Sequence, residues 1–205
     1  MTWTRIILLL STSVNLLLYS WAASSVFKTY NTTAKLGKTV IFVLGGCTSG
    51  ILLYFLFKID VEPLPALISF ILLVISLILF VWTLKFRFVT NFDFAFSNRT
   101  PEIIFLTGPF RLIRHPFYAS YTLTWIAGVV AIHKPIVVTA TSIMFLIYWL
   151  AATQEENLIL KGQSSEIYQS YKQKTGQFFP NFTQINQYLS DSHKFLGKIV
   201  SLKRK

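Results

Sequence analysis

Charged residues are scarce in this sequence, in which Asp, Glu, Lys and Arg together make up only 13% of 205 residues. Soluble globular domains carry about 25% charged residues, so the chain departs far from that class. Hydrophobic residues make up 53% of the chain, and the mean hydropathy is +0.55. These values exclude an ordinary soluble domain and indicate a polytopic membrane protein.

Acidic residues and cysteine are scarcer still. Eight Asp and Glu stand against nineteen Lys and Arg, which gives a formal charge of +11. The basic residues flank apolar segments instead of forming a patch among polar residues, so they suit a membrane and we expect no nucleic-acid partner. The single cysteine, Cys47, excludes a disulfide or a cysteine-based metal site within one chain. Its apolar neighbours predict a thiol in the core, and we expect no metal site.

Long apolar segments dominate what is present. A hydrocarbon core about 30 Å thick needs about 20 apolar residues of helix. Five segments come near that length, at about residues 3–23, 39–57, 64–84, 117–132 and 135–152. We therefore expect an all-α fold: a polytopic membrane protein with about five transmembrane helices and a cytoplasmic C-terminal helical segment.

Two details of these segments matter for the topology. Only His133 and Lys134 separate the fourth segment from the fifth, which predicts a tight antiparallel hairpin. The first segment has an alternative interpretation as a cleaved signal peptide, since Ser20-Trp21-Ala22 resembles a cleavage site. Its apolar run is too long for that, and its n-region holds only one basic residue, Arg5.

The distribution of basic residues predicts the orientation. With five spans, 16 of the 19 Lys and Arg fall on one side of the membrane. The positive-inside rule then places the N-terminus outside, and the phenylalanine-rich loop 86–114 and the C-terminal region in the cytoplasm. We expect the loop to lie at the membrane interface.

The C-terminal part of the chain is more polar than the rest. Residues 154–175 mix apolar and charged side chains, which predicts a helix or helix pair broken at Gly162. Residues 183–205 form a basic amphipathic tail that is predicted to lie on anionic lipid, with a disordered solubilising end as the alternative. Residues 1–182 are interpreted as a single membrane domain.

Two stretches concentrate the polar groups that could carry chemistry. GPFRLIRHPFYASY at 108–121 opens the fourth span, and QEENLIL at 154–160 follows the fifth. Polar side chains are costly beside hydrocarbon, so their placement where a span begins needs a functional or topological reason. Both stretches fall on the predicted cytoplasmic side, where we expect the active site.

The order of motifs in this region resembles a known family. Gly108-Pro109-Phe110, the run from Arg114 to Tyr118, Glu155-Glu156, and then Tyr168 and Tyr171 are similar to the C-terminal signature of the isoprenylcysteine carboxyl methyltransferases and the related phospholipid methyltransferases. The similarity covers about residues 106–180. It implies an integral membrane enzyme that binds S-adenosylmethionine between the cytoplasmic ends of its last two spans and the next helix. Its methyl acceptor would be a lipid or prenylated molecule from the bilayer, with carboxyl O-methylation implied first.

The resemblance also implies which residues form the site. Carried over by position, the cofactor pocket comprises Ile103, Ile104, Phe105, Phe110, His115, Pro116, Phe117, Tyr118, Glu155 and Glu156. Counting back from Tyr168 without a gap makes Glu156 the cofactor-binding acid, whereas a one-residue insertion makes it Glu155. Arg114 is the candidate substrate-binding residue, and no catalytic residue is assigned. No glycine-rich dinucleotide fingerprint is present, in keeping with a non-Rossmann site.

The sequence departs from the family pattern near the acceptor. Those enzymes are expected to carry an arginine for the substrate carboxylate four residues before the cofactor-binding glutamate, where this chain has Ala152, or Ala151 in the other register. A carboxylate acceptor is already ionised at pH 7 and needs alignment more than proton transfer. An amine or thiol acceptor would need a base, for which His115 or a glutamate is the candidate.

Three other interpretations stay open. Each motif alone has a structural explanation: Arg111 as a membrane anchor, His115-Pro116 as a helix start, and the glutamate pair as a solvated helix face. Membrane sterol-type reductases share an Arg-His-Pro-x-Tyr segment and bind NADPH there. A non-catalytic membrane partner built on the same fold is the third alternative.

Overall fold

A computed structural model of the chain describes residues 2–27, 32–85, 106–162 and 165–181. Six α-helices occur in these ranges: α1 (Trp3–Ser25), α2 (Thr32–Lys58), α3 (Pro63–Leu84), α4 (Pro116–Ile132), α5 (Pro135–Leu160) and α6 (Ser165–Lys174). A 3-10 helix, Gly108–Arg111, precedes α4. The described ranges contain no β-strand, only an isolated bridge between Ile113 and Gly176. Most of the loop before position 106 and the predicted tail 183–205 lie outside them.

Four helices are long and apolar enough to cross a membrane: α1, α2, α3 and α5. With 17 residues, α4 is about 25 Å long, less than the roughly 30 Å of a hydrocarbon core. The all-helical, membrane-protein class is therefore confirmed, whereas the count of five crossings stays a prediction. Two helices extend beyond the apolar segments that predicted them. The second begins at Thr32, and the fifth continues to Leu160, because a helical backbone does not stop where hydropathy falls.

The short helix α4 occupies the centre of the bundle. It buries 11 of its 17 residues, and it packs most extensively against α3 while also touching α5, α2 and α1. The longer helices bury one face and expose apolar side chains on the other, as expected when the surrounding solvent is hydrocarbon. The first residue of α4, Pro116, is buried.

Cys47 is exposed on α2, so its prediction as a core thiol was wrong. Helix α2 buries the face that carries Thr48, Leu52 and Leu56. Cys47 points away from this face. The reason for the error is physical: a span is apolar all round, so hydropathy alone does not tell the face that meets protein from the face that meets lipid.

The α4–α5 connection is the predicted tight hairpin. His133 ends α4 in the left-handed conformation, with φ 52°, and α5 begins at Pro135. Because the turn is so short, residues about equally far from it on the two helices face each other. The hydroxyl of Thr141 donates to the carbonyl of Trp125 at 3.5 Å in this way. The hairpin thus brings the start of α4 to the end of α5.

A buried polar network ties three helices together inside the bundle. The hydroxyl of Tyr19 on α1 lies 2.5 Å from Ser76 Oγ on α3 and 2.9 Å from Thr124 Oγ1 on α4. The same hydroxyl is 2.9 Å from Asn15 Oδ1. Hydrogen bonds between helices satisfy polar groups that hydrocarbon cannot, so this network fixes the arrangement of α1, α3 and α4.

Candidate functional site

The candidate site lies where α4 begins. His115 caps α4, and Pro116 is its first residue, so the interpretation of this pair as a helix start is correct. The backbone just before α4 pairs with the segment that follows α6: Arg114 N–H donates to the carbonyl of Gly176 at 2.8 Å, and His115 N–H to that of Gln177 at 3.1 Å. This pairing brings the segment after α6 to the base of the site.

Glycine is needed at two of the turns around the site. Gly108 has a φ of 61°, which places the start of the 3-10 helix in the left-handed region. At Gly176 a Cβ atom would lie 1.8 Å from the carbonyl oxygen of Phe179, so any side chain would collide with the backbone. The path of the chain after α6 therefore depends on glycine at this position.

Glu156 is the most enclosed acid of the site. Its Oε1 accepts from Arg114 Nε at 2.9 Å and lies 3.2 Å from His115 Nε2, while its Oε2 is 2.9 Å from Lys172 Nζ. The Nη1 of Arg114 also donates to the backbone carbonyls of Lys172 and Thr175. Charge-assisted bonds of this kind are strong, and together they join the start of α4, the end of α5 and helix α6.

Glu155, its neighbour, has a more open environment. Its side chain keeps 28% of its surface exposed, and the hydroxyl of Tyr118 donates to its Oε1 at 2.6 Å. His115 Nδ1 lies 3.6 Å from the other oxygen. The His115 ring stacks on Tyr118, with centroids 5.7 Å apart, and Tyr118 stacks on Tyr148 at 5.5 Å. A carboxylate, an imidazole and two phenol rings thus meet at one place.

Helix α6 is held to the site by its two motif tyrosines. Tyr168 is buried, and this burial raises the pKa of its phenol, with a further upward contribution from the charge of Glu156. The hydroxyl of Tyr171 donates to the backbone carbonyl of Phe110 in the 3-10 helix. Tyr171 therefore links α6 to the residues that precede α4, and Tyr168 is the residue that α6 buries.

The structure brings together five of the residues proposed from sequence: Arg114, His115, Tyr118, Glu155 and Glu156. Other proposed residues have different surroundings. Phe117 points to the opposite side of α4, where its ring packs 5.1 Å from Phe27 and 5.6 Å from Phe80. Pro116 is buried at the helix start, and Phe110 meets α6 through its carbonyl group.

The remaining three candidates, Ile103, Ile104 and Phe105, lie outside the described residues, so their predicted place in the pocket stays a prediction. Among the residues that are described, no group of three His, Cys, Asp or Glu side chains is suited to hold a metal ion.

Three residues that shape the site were not proposed from sequence: Lys172, Tyr148 and Phe178. Lys172 follows the buried Tyr168 by four residues, and this spacing places both on one face of α6. Tyr148 precedes Glu155 by seven residues, so it shares a face of α5 with that acid. Residue spacing does not predict that Phe178 lies at the site. Its position results from the backbone pairing of residues 176–177 with Arg114 and His115.

An apolar groove adjoins the site on the outer face of α5. Its volume is about 650 Å³, and its lining residues are Ser142, Phe145, Leu146, Trp149, Gln177, Phe178 and Phe179. The ring of Phe178 is 5.5 Å from that of Phe145 and 6.2 Å from that of His115, measured between centroids. The groove and the polar site are therefore neighbours that share Phe178.

Comparisons with known proteins add no family: no protein-family model and no curated protein matches the chain.

Proposed function

We propose that the protein transfers a methyl group from S-adenosylmethionine to an amphiphilic acceptor that reaches the start of α4 from the bilayer. The observation that carries this proposal is the convergence of Glu155, Tyr118 and His115 at the mouth of an apolar helix bundle. A carboxylate can accept from the ribose hydroxyls of the cofactor, and aromatic rings attract its sulfonium charge.

Of the two acids, Glu155 suits the cofactor better. Both oxygens of Glu156 already meet cationic partners inside the protein, Arg114 on one and Lys172 on the other. A ligand could use Glu156 only by breaking these bonds, and a buried charge left unpaired is costly. In this proposal Glu155 binds the cofactor, and Glu156 holds the surrounding helices in place. This assignment corresponds to the register with a one-residue insertion before Tyr168.

The reaction itself requires alignment. A lone pair of the acceptor attacks the methyl carbon in line with the departing sulfur, the carbon–sulfur bond breaks, and S-adenosylhomocysteine leaves as a neutral thioether. Holding both reactants at contact distance supplies much of the rate enhancement for such a step. An ionised carboxylate acceptor releases no proton, whereas an amine must lose one, and His115 or Glu155 would then accept it.

Carboxyl methylation is the acceptor chemistry that the resemblance implies, but one observation favours an amine as a second candidate. Ala151 and Ala152, the positions at which the family arginine is expected, are fully buried, so neither has room for a guanidinium. Arg114, the proposed substrate residue, donates through Nε and Nη1 to Glu156 and to the carbonyls of Lys172 and Thr175. An amine-bearing lipid would need no arginine partner.

Cofactor binding tests the proposal most directly. Calorimetric titration of the purified protein in lipid nanodiscs should detect S-adenosylmethionine binding, and Glu155→Gln should weaken it about tenfold, the cost of losing one charged hydrogen bond. Glu166→Gln, which alters an exposed acid of α6, is the matched control and should leave the affinity unchanged. Binding of NADPH in place of S-adenosylmethionine would support a reductase, and binding of neither would support a non-catalytic partner.

A transfer assay then separates the acceptors. The protein is incubated with donor carrying a radiolabelled methyl group and either a prenylcysteine analogue or phosphatidylethanolamine. Base-labile label on the prenylcysteine would identify carboxyl methylation, and base-stable label on the phospholipid would identify amine methylation. Absence of label on both acceptors, and on a total membrane lipid extract, would overturn the methyl-transfer proposal.

A further inference from the structure

Four side chains of the site form a row in which each contacts the next. Lys172 Nζ lies 2.9 Å from Glu156 Oε2, and Glu156 Oε1 lies 3.2 Å from His115 Nε2. The other ring nitrogen of His115, Nδ1, lies 3.6 Å from Glu155 Oε2. The two inner side chains are enclosed, whereas Lys172 is 44% and Glu155 28% exposed. A cation and an acid are therefore accessible at opposite ends of one row.

Lys172 keeps donors for a ligand. An ammonium group carries three N–H donors, and the ion pair with Glu156 Oε2 uses one of them. A second anion can therefore bind to Lys172 while this ion pair stays intact. Glu156 differs in this respect, because each of its oxygens already meets a cation.

Lys172 is also the most exposed of the basic side chains that contact Glu156. Arg114 is only 8% exposed, and its Nε and Nη1 donate to Glu156 and to two backbone carbonyls. His115 directs its two ring nitrogens toward the two glutamates. Since Glu156 offsets only one of the charges of Arg114 and Lys172, this end of the row keeps one positive charge in excess.

A ligand that contacts both ends needs an anionic group for Lys172 and hydrogen-bond donors for Glu155. S-Adenosylmethionine has this layout, because its methionine carboxylate and its ribose hydroxyls lie on opposite sides of the sulfonium. With the ribose at Glu155, the methionine portion extends past His115 toward Lys172. Its carboxylate would accept a charge-assisted hydrogen bond from the ammonium group, which is stronger than a neutral one.

We propose that Lys172 binds the methionine carboxylate of S-adenosylmethionine, so that Lys172 and Glu155 hold the cofactor on either side of its sulfonium. This inference rests on the proposed function for the identity of the ligand. The motif resemblance does not include Lys172, whose place at the site follows from its contact with Glu156. Helix α6 thus contributes a cofactor contact as well as support for the site.

Two ligands that differ in this carboxylate test the contact. Decarboxylated S-adenosylmethionine keeps the adenosine and the sulfonium but lacks the methionine carboxylate. In calorimetric titration of the full-length protein in lipid nanodiscs, S-adenosylmethionine should bind about tenfold more tightly than the decarboxylated form, as expected for one charged hydrogen bond. Lys172→Met should abolish this preference: S-adenosylmethionine should bind about tenfold more weakly, and the decarboxylated form as it does to the wild type.

Two further variants are controls. Lys172→Arg keeps the positive charge and should retain the preference for the carboxylate. Lys174→Met removes another exposed charge of α6 and should leave both affinities unchanged. A general disturbance of the pocket would weaken both ligands, so the decarboxylated form separates a direct contact from a structural role of Lys172. Comparing the two ligands in the wild type needs no variant and decides the matter even where Lys172→Met does not fold.

Equal affinity of the wild type for the two ligands, or an equal loss of both in Lys172→Met, would overturn the assignment of Lys172. Unchanged S-adenosylmethionine affinity in Lys172→Met, with slower transfer to a prenylcysteine acceptor, would overturn it as well and would place the acceptor's carboxylate at Lys172. The proposed function fails separately, since a wild-type protein that binds neither ligand refutes methyl transfer. Cofactor binding that ignores the carboxylate refutes the role of Lys172 alone.

Discussion

The Nε of Arg114 lies 2.9 Å from Oε1 of Glu156, and the two side chains are only 8% and 3% exposed. Removing both charges from water is costly, and good geometry with further hydrogen bonds must offset that cost. The side chains of Lys172 and His115 and the carbonyls of Lys172 and Thr175 supply those bonds. The pair therefore links the start of α4, the end of α5 and α6, whereas the adjacent Glu155 keeps 28% of its side chain exposed.

Loss of Glu156 should destabilise the protein far more than loss of Glu155. Glu156→Ala leaves Arg114 buried without its carboxylate, which typically costs about 3–5 kcal/mol of unfolding free energy. Glu155→Ala removes a partly exposed acid and should cost about 1 kcal/mol or less. Chemical denaturation in detergent measures both. Equal losses would show that Glu156 does not hold the helices together.

The Arg114–Glu156 pair should also be strongly non-additive. Arg114→Leu combined with Glu156→Leu removes both charges, so the double variant should lose less stability than the sum of the two single variants, by about 1–3 kcal/mol. A double-mutant cycle of unfolding free energies gives this coupling directly. Additive losses would contradict the structural role assigned to the pair.

Tyr118→Phe should weaken cofactor binding without unfolding the protein. The substitution keeps the ring that stacks on His115 and Tyr148 but removes the hydroxyl that donates to Glu155. We expect about a tenfold loss of S-adenosylmethionine affinity in calorimetric titration, with an unchanged melting temperature. Tyr121→Phe, one turn along α4, is the control and should bind as the wild type does.

Gly176→Ala should lower the melting temperature. Its Cβ would meet the carbonyl of Phe179 at 1.8 Å, and a backbone atom cannot rotate away as a side chain can. Gly46→Ala on α2 is the matched control, since a Cβ there meets no atom within 4 Å. Alanine in the helix interior should be neutral or stabilising by up to about 1 kcal/mol. If the Gly176→Ala protein had the same melting temperature as the wild type, the tight turn after α6 would be disproved.

Tyr19→Phe should destabilise the bundle from within the membrane. It removes the hydroxyl that Asn15, Ser76 and Thr124 share. Hydrogen bonds between membrane helices contribute about 0.6 kcal/mol each, up to about 1.7, so we expect a loss of about 1–2 kcal/mol in detergent unfolding. Tyr54→Phe, on the exposed face of α2, should change stability by less than about 0.5 kcal/mol.

The orientation is predicted from the uneven distribution of basic residues, since with five spans 16 of 19 fall on one side. A reporter fused after Lys205 should be cytoplasmic, and one at the N-terminus should be external. Alkaline phosphatase activity from the C-terminal fusion would place the site outside the cell and would remove its access to cytosolic cofactor.

Local sequence is enough to predict the helices and one decisive contact. A helix of about 20 apolar residues is encoded locally, by length and hydropathy, so the membrane class and most helix positions could be read from the chain. The two residues between α4 and α5 also act locally. They force these helices into an antiparallel pair, and this places His115 opposite the Glu155-Glu156 pair.

The difference between Glu155 and Glu156 depends on tertiary contacts. Arg114 and Lys172 enclose Glu156. Arg114 lies more than ten residues before α5, and Lys172 lies more than ten residues after it. The outward position of Cys47 and the place of Phe178 beside His115 depend on packing in the same way. An apolar span carries apolar residues on every face, so its sequence does not show which face packs against protein. The positions of these side chains therefore depend on contacts between distant segments and not on local periodicity.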